Sequence, residues 1–216
     1  MGYYPIFLDL RGRRCVVVGG GKVAERKVRT LLRAQASVRV ISPELTARLA
    51  QWAATKKISV ARHGYRKGDL GQPLLVFAAT NDPVVQQAVR EDAEALGALV
   101  NVADDREHST FLVPASFAQG DLQVAISTSG ASPALARSLR QRLQALLGRE
   151  YKAHLSFLRE ARREVLSSVP EQKERARVFR KLVARLREVK TQESKGRNEV
   201  ARAGSQEPGV RRLTGS

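Results

Sequence analysis

The sequence contains almost no cysteine, few aromatic residues and only three histidines. The single cysteine, Cys15, excludes a disulfide framework and a cysteine-based metal site, and we expect it to be a small buried hydrophobe. His63, His108 and His154 are scattered without the spacing of metal ligands, so no resident metal is predicted. Aromatic residues make up 5% of the chain, which leaves few rings for stacking on nucleic-acid bases.

Long apolar runs and acidic residues are also scarce. No apolar stretch approaches membrane-spanning length and no signal-peptide pattern follows Met1, so we expect a soluble, cytoplasmic protein without a membrane partner. Asp and Glu number 21 against 38 Lys and Arg, which gives a formal net charge of +17. This excess of positive charge favours a polyanionic partner. Three alternatives fit: a nucleic acid, an anionic membrane surface, or a small substrate with several carboxylates or phosphates.

One glycine-rich stretch organises the N-terminal half of the chain. The run Val16–Val18 predicts a strand, and Gly19, Gly21 and Ala24 follow it in the spacing G-x-G-x-x-A, before a predicted helix over Ala24–Arg33. The first glycine permits a sharp turn, the second lets the backbone approach a pyrophosphate, and the alanine lets the helix pack closely on the strand. The spacing predicts a dinucleotide site, with a purely structural turn as the alternative.

Strands and helices continue to alternate after this stretch. Further strands are predicted at Ser37–Ile41, Ile58–Ala61, Leu74–Ala79 and Ala98–Val102, and further helices at Leu45–Thr55 and Val84–Leu96. Ser42 is the predicted cap of the second helix, and the polar residues of the first helix, including Glu25 and Lys27, are expected to face solvent. The alternation predicts an α/β fold with an open, Rossmann-like parallel sheet that binds ligands at the carboxyl ends of its strands.

The alternation stops after Asp105. Two short strands, Phe111–Pro114 and Leu122–Ser127, predict a hairpin, and amphipathic helices are predicted at Ala134–Leu147, Tyr151–Ser168 and Glu171–Val189. Residues Thr191–Ser216 have hardly an apolar side chain and predict a disordered basic tail. We therefore divide the chain into a Rossmann-like domain (1–113), a small α+β segment (114–148), a helical region (149–190) and a tail (191–216).

Six motifs in matching order resemble one known family. They are Tyr4–Leu10, Val17–Lys27, Ile41–Glu44, Phe77–Asp82, Asn101–Asp104 and Ser127–Arg137. The family is that of the precorrin-2 dehydrogenases, the siroheme synthase N-terminal-type proteins, and the resemblance covers roughly residues 1–190.

The resemblance implies NAD-dependent oxidation of precorrin-2 to sirohydrochlorin. Some members of the family also insert ferrous ion into sirohydrochlorin, so a bifunctional dehydrogenase and ferrochelatase is the alternative, with ferrous or cobaltous ion as a substrate. The resemblance also implies a homodimer built on the segment 114–148. Because the substrate carries many carboxylates, it accounts for the basic composition.

The resemblance assigns roles to individual residues. The cofactor-binding positions are Gly19, Gly21, Lys22, Val23, Pro43, Glu44, Thr80 and Asn101. Asp104 falls on the functional aspartate of the family, as a candidate general base for the dehydrogenation, for chelation or for both, with a plain turn residue as the alternative. The implied substrate-binding positions are Ser127, Thr128, Ser132 and Arg137, and Thr128 stands where some relatives carry serine.

Two points stay open in the sequence. The acidic residue that selects NAD over NADP stands about twenty positions after the glycines in a typical fold, whereas Glu44 comes slightly later, so the choice of NAD rests on the resemblance. A non-catalytic, NAD-sensing module that binds nucleic acid through its basic helices is a remote alternative. It is disfavoured because the sequence has no clear recognition-helix motif.

Overall fold

The computed structural model describes residues 2–148 and 150–185, which form two compact units. Of these residues, the first unit comprises 2–114 and 127–132, and the second comprises 115–126, 133–148 and 150–185. The predicted tail 191–216 lies outside the described residues, and the four-part division of the chain stays a prediction. Within the described residues, no helix combines the length and apolar character needed to span a bilayer.

The first unit is a five-stranded parallel sheet with helices on both faces. Its elements are β1 (Arg14–Val18), α1 (Lys22–Arg33), β2 (Ser37–Ile41), α2 (Ala47–Ala54), β3 (Ser59–Ala61), β4 (Leu75–Ala78), α3 (Pro83–Ala95) and β5 (Leu99–Val102). The strand order is β3-β2-β1-β4-β5, with β1 in the centre, and Val18 is in register with Ile41 and Ala78. The predicted Rossmann-like parallel sheet is confirmed.

Alternate residues of the strands build two separate cores. Cys15 and Val17 of β1 pack with Val28 of α1 and Leu49 of α2 on one face. Val16 and Val18 pack with Val89 of α3 and with Leu70 on the other face. Since successive side chains of a strand point to opposite faces, a run of consecutive valines suits a strand that is covered on both sides.

Three local predictions are wrong in the first unit. Helix α2 begins at Ala47 and is capped by Thr46, whose hydroxyl accepts from Leu49 N at 3.3 Å, whereas the Ser42 hydroxyl donates to Glu44 O at 2.7 Å. Glu25 is buried rather than exposed, because it accepts a hydrogen bond from the Thr46 hydroxyl at 2.8 Å. Lys27 is half-buried rather than exposed, because its Nζ donates to Asn101 Oδ1 of β5.

The first hairpin strand also lies later than predicted. The hairpin consists of β6 (Ala115–Gln119) and β7 (Leu122–Ile126), and the predicted strand Phe111–Pro114 is instead part of the first unit. The Phe111 ring packs edge-on against Phe77 at a centroid distance of 5.4 Å. The Ser109 and Thr110 hydroxyls accept hydrogen bonds from the amides of Val102 and Val100. These side chains therefore cover the outer edge of β5, where no further strand of the described residues pairs with it.

The second unit joins this hairpin to helices. Strands β6 and β7 are antiparallel, with a tight turn at Gly120, whose φ is +61°. Helix α4 (Pro133–Leu146) packs on both strands, and α5 (Glu150–Ser168) packs on β7. Asp121, in the turn before β7, forms an ion pair with Arg159 of α5. Residues 172–185 are also helical. The predicted hairpin followed by helices is confirmed.

Candidate dinucleotide and substrate site

The three glycines after β1 are required for three different reasons. Gly19 has φ +118°, and a Cβ there would lie 2.3 Å from Ala79 O. A Cβ on Gly20 would lie 1.8 Å from Glu44 O, so this glycine lets the loop after β2 pass close by. A Cβ on Gly21 would meet no atom of the protein within 4 Å. Packing within the protein therefore does not require glycine at position 21, and the missing side chain leaves open space in front of the loop.

The helix that follows presents its N-terminus to this open space. Gly21 is the N-cap of α1 and no side chain caps it, while Lys22 and Val23 form the first turn. Amides at a helix N-terminus, together with the helix dipole, attract phosphate groups. Since the side chain that would block a phosphate is missing at Gly21, the loop fits the pyrophosphate of a dinucleotide.

The loop after β2 is fixed against the glycine loop. Thr46 N donates to Gly20 O at 3.0 Å, and the Ser42 hydroxyl holds Glu44 O in the turn. Pro43 and Glu44 are exposed beside this junction. The Glu44 carboxylate is therefore accessible at the carboxyl end of β2, where a dinucleotide fold places its ribose contact.

A buried carboxylate ties α1 to the start of α2. Glu25 accepts from the Thr46 hydroxyl and from Arg29 Nη2 at 3.2 Å, and Lys22 Nζ lies 3.8 Å away. The Thr46 hydrogen bond, followed by the nearby cations, lowers the pKa of Glu25 below its ordinary value. Glu25 thereby fixes the relative position of the two loops that a dinucleotide would contact.

Thr80 and Asn101 lie at the ends of the next two strands. Thr80 follows β4, its hydroxyl accepts from Asp82 N at 3.3 Å, and Gln86 Nε2 donates to its carbonyl at 2.7 Å. Asn101 is buried in β5, and its Nδ2 donates to Phe111 O at 3.1 Å. The Asn101 side chain therefore helps to hold the segment after β5 in place.

Lys27 is a further candidate site residue, although helical periodicity alone places it on the exposed face of α1. Its Nζ donates to Asn101 Oδ1 at 3.2 Å and lies 5.1 Å from the centroid of the Phe77 ring. Burial lowers the pKa of Lys27, as does the nearby Arg26 charge, whereas Asp104 raises it. A signal was present, because Lys27 interrupts the apolar stripe of Ala24, Val28 and Leu31 at helical spacing.

Asp104 occupies a strained turn directly after β5. Its φ is +59°, in the left-handed region where aspartate is one of the few tolerated residues, and its side chain is exposed. Asp105 N closes the turn by donating to Val102 O at 3.3 Å. The neighbouring Asp105 carboxylate has a different task, because it accepts from His108 N at 3.1 Å and contacts His108 Nδ1 at 2.6 Å.

The small-residue loop Ser127–Ser132 is closed by its own hydroxyls. The Thr128 hydroxyl accepts from Ser132 N and donates to Ser132 O, both at 3.1 Å, and the Ser127 hydroxyl accepts from Ser129 N. The loop belongs to the first unit, whereas Arg137 is exposed on α4 of the second unit. Ser127 and Thr128 thus shape this loop, and their substrate contacts stay a prediction.

The chain matches two family models and several known proteins. A model described as NAD(P)-binding matches residues 6–115, and one described as sirohaem biosynthesis protein central matches residues 119–146. The solved structure of SirC, a precorrin-2 dehydrogenase, is 30% identical, with a TM-score of 0.73, and the match covers 84% of this chain and 89% of that one.

Siroheme synthases are also similar in sequence. That of Chromobacterium violaceum is 46% identical over 151 residues, which cover 70% of this chain and 32% of the relative. That of Gluconacetobacter diazotrophicus is 40% identical over 182 residues, which cover 82% of this chain and 39% of the relative. The chain thus spans about a third of the length of these curated relatives. The first unit is an NAD(P)-binding domain.

Proposed function

We propose that this chain, which belongs to the family of precorrin-2 dehydrogenases and siroheme synthases, oxidises precorrin-2 to sirohydrochlorin with NAD. The observation that carries the proposal is the match to a precorrin-2 dehydrogenase over 89% of that protein's length. The open space at Gly21 and the polar strand ends of the sheet support it. When bound, NAD supplies the hydride acceptor for the oxidation.

The first task of the chain is to hold the cofactor. Gly19 and Gly21 shape the phosphate loop, and Lys22 and Val23 supply the first turn of α1 at its positive end. Pro43 and Glu44 would contact the adenosine side, with the exposed Glu44 carboxylate accepting hydrogen bonds from the ribose hydroxyls. A ribose contact of this kind favours NAD over NADP, because a 2′-phosphate beside a carboxylate is repelled. Thr80 and Asn101 would line the nicotinamide side.

The second task is to remove a proton. Oxidation of the macrocycle releases one hydride and one proton, and Asp104 is the carboxylate that we assign to accept the proton. Its exposed position on the turn after β5 keeps it accessible to a large substrate. Asp105 is unsuited to this role because His108 already occupies its carboxylate.

A second activity, insertion of ferrous or cobaltous ion into sirohydrochlorin, is favoured by the relatives that are named siroheme synthases. Among the described residues no cluster of three or more His, Cys, Asp or Glu side chains is arranged to hold a metal ion. If the chain performs chelation, the macrocycle nitrogens would bind the metal ion and Asp104 would accept the protons that they release.

A homodimer accounts for apolar residues of the second unit. Leu135 and Leu146 of α4 are 52% and 64% exposed, and Phe157 of α5 is 49% exposed. Large apolar side chains at such exposure mark surfaces for association when they share a face. We assign dimerisation to α4 on the basis of these exposed side chains, and to the hairpin because the family resemblance implies it. We assign Ser127, Thr128, Ser132 and Arg137 to binding of the substrate.

The test measures two reactions in three proteins. Wild type, Asp104→Asn and Asp105→Asn would be assayed for NADH formation from precorrin-2 and for ferrous or cobaltous ion insertion into sirohydrochlorin. We expect wild type and Asp105→Asn to form NADH, and Asp104→Asn to lose at least about a hundredfold in rate, as is typical of a lost general base. A folded wild type that binds NAD but forms no NADH would contradict the proposal.

The metal-insertion arm separates the two activities. Metal insertion by wild type that collapses in Asp104→Asn would make Asp104 a base for both reactions. Wild type that forms NADH but inserts metal no faster than buffer would be a dedicated dehydrogenase, and the chelatase proposal would be wrong.

A further inference from the structure

The turn after β5 carries an arginine, Arg106, to which the proposed function assigns no role. Arg106 lies two residues after Asp104, and its Nε donates to the Tyr3 hydroxyl at 3.2 Å. The guanidinium carbon lies 5.5 Å from the centroid of the Tyr3 ring. Stacking on an aromatic face orients a guanidinium while leaving its outer N–H groups available.

The small-residue loop forms a second contact with this arginine. Gly130 has φ +84°, and a Cβ there would lie 2.9 Å from Arg106 Cδ and 3.0 Å from Nη1. A side chain at position 130 would therefore have to displace Arg106. The N-terminal segment, the turn after β5 and the loop 127–132, all within the first unit, thus meet at one guanidinium.

The charge of Arg106 is not neutralised by the neighbouring acidic residues. Asp105 is engaged by His108, and no carboxylate of residues 2–148 or 150–185 forms an ion pair with Arg106. Asp104 and Glu107 lie two residues before and one residue after Arg106 in sequence. An oriented cation with no anionic partner in this part of the chain is suited to an anionic ligand.

We propose that Arg106 binds a carboxylate of the tetrapyrrole beside Asp104, and that Tyr3 and Gly130 are positioning residues for it. The planar guanidinium matches a carboxylate with two parallel hydrogen bonds, which a lysine cannot provide. This inference rests on the proposed function, since that function supplies a substrate with many carboxylates. It also gives the N-terminal segment a role, because Tyr3 contacts the arginine from there.

The test measures binding rather than turnover. Sirohydrochlorin and NAD would be titrated separately into wild type, Arg106→Gln, Arg106→Lys and the control Arg33→Gln. The control removes the same charge from an exposed residue in the last turn of α1. We expect Arg106→Gln to weaken sirohydrochlorin binding about tenfold and to flatten its salt dependence, as for a lost charge-assisted contact, with NAD affinity unchanged. Arg106→Lys should recover only part of the affinity, and Arg33→Gln should match wild type.

Two further variants examine positioning. Tyr3→Phe keeps the ring but removes the hydroxyl that Arg106 contacts, and Gly130→Ala forces the Arg106 side chain to move. Each should therefore weaken sirohydrochlorin binding about two- to fivefold without changing NAD affinity. Wild-type sirohydrochlorin affinity in Arg106→Gln would overturn the inference while leaving the dehydrogenase intact. A loss of NAD affinity instead would reassign Arg106 to the cofactor and also overturn it. A wild type that binds no tetrapyrrole and forms no NADH would refute the proposed function itself.

Discussion

Substitution of Gly21 by alanine separates cofactor binding from folding. The residue has φ −82° and ψ −170°, which alanine adopts without strain, and the added Cβ meets nothing within 4 Å. Alanine stabilises by about 0.4–1 kcal/mol through the unfolded chain, but it is a poorer N-cap than glycine by roughly 0.5–1 kcal/mol. The two effects nearly offset, so the melting temperature should stay within about 4 °C of wild type.

The same substitution should impair NAD binding. A methyl group at position 21 projects into the space where the backbone must approach the pyrophosphate, so we expect NAD affinity to fall at least about tenfold, or about 1.4 kcal/mol. The matched variant is Gly20→Ala, whose Cβ would lie 1.8 Å from Glu44 O. The clash should cost about 1–3 kcal/mol, and the displaced loop should also lose the hydrogen bond from Thr46 N to Gly20 O, which is worth about 1 kcal/mol. We therefore expect the melting temperature of Gly20→Ala to fall by roughly 5–15 °C.

Wild type, Gly21→Ala and Gly20→Ala would be compared by calorimetric titration with NAD and by thermal unfolding. If Gly21→Ala keeps wild-type NAD affinity, the open space at Gly21 is not a phosphate site and the glycine loop is only a turn. If Gly20→Ala melts as wild type does, the close contact with the loop after β2 does not constrain the fold as argued.

Two further predictions concern residues that support the site. Lys27→Met keeps the apolar stem but removes the hydrogen bond to Asn101, so turnover should fall about tenfold with NAD affinity preserved, and wild-type turnover would contradict a role for Lys27. Because the folded pKa of Glu25 is lowered, its contribution to stability is present above its ordinary pKa of about 4.5 and is lost as pH falls through the folded value. The free energy of unfolding, measured with urea between pH 3 and 7, should therefore fall less steeply with acid in Glu25→Gln than in wild type. The same pH dependence in both proteins would be evidence against the Thr46 contact.

The sheet could be predicted because its strands carry their own signals. The valine run of β1 and the apolar run of β4 are covered on both faces, so each reads as a strand without knowledge of its partners. The glycine loop is local as well, since its spacing fixes both the turn and the start of α1. These features determine which end of the sheet is polar, and the candidate site follows from that.

Three of the four errors share a physical cause, which is a contact between segments distant in the chain. The fourth, the Ser42 cap, has a local cause, because the Ser42 hydroxyl donates to Glu44 O. Glu25 is buried through Thr46, twenty-one residues later, and Lys27 is half-buried through Asn101, seventy-four residues later. The segment at Phe111 has the pattern of a strand, but the Phe77 ring and the Asn101 amide hold it in the first unit. Helical periodicity alone cannot show that a charged side chain has a buried partner.

Asp104 can be both a turn residue and a general base, because its left-handed turn position leaves the carboxylate exposed. A series of substitutions at this position separates the two roles. At φ +59° asparagine should fold as well as aspartate, glycine at least as well, and alanine less well by about 1 kcal/mol. Stability should therefore follow the order glycine, then aspartate and asparagine, then alanine, while only aspartate can accept a proton. If the carboxylate is the base, all three variants lose activity whatever their melting temperatures. Activity in the asparagine and glycine variants that follows their stability would show that Asp104 serves only the turn.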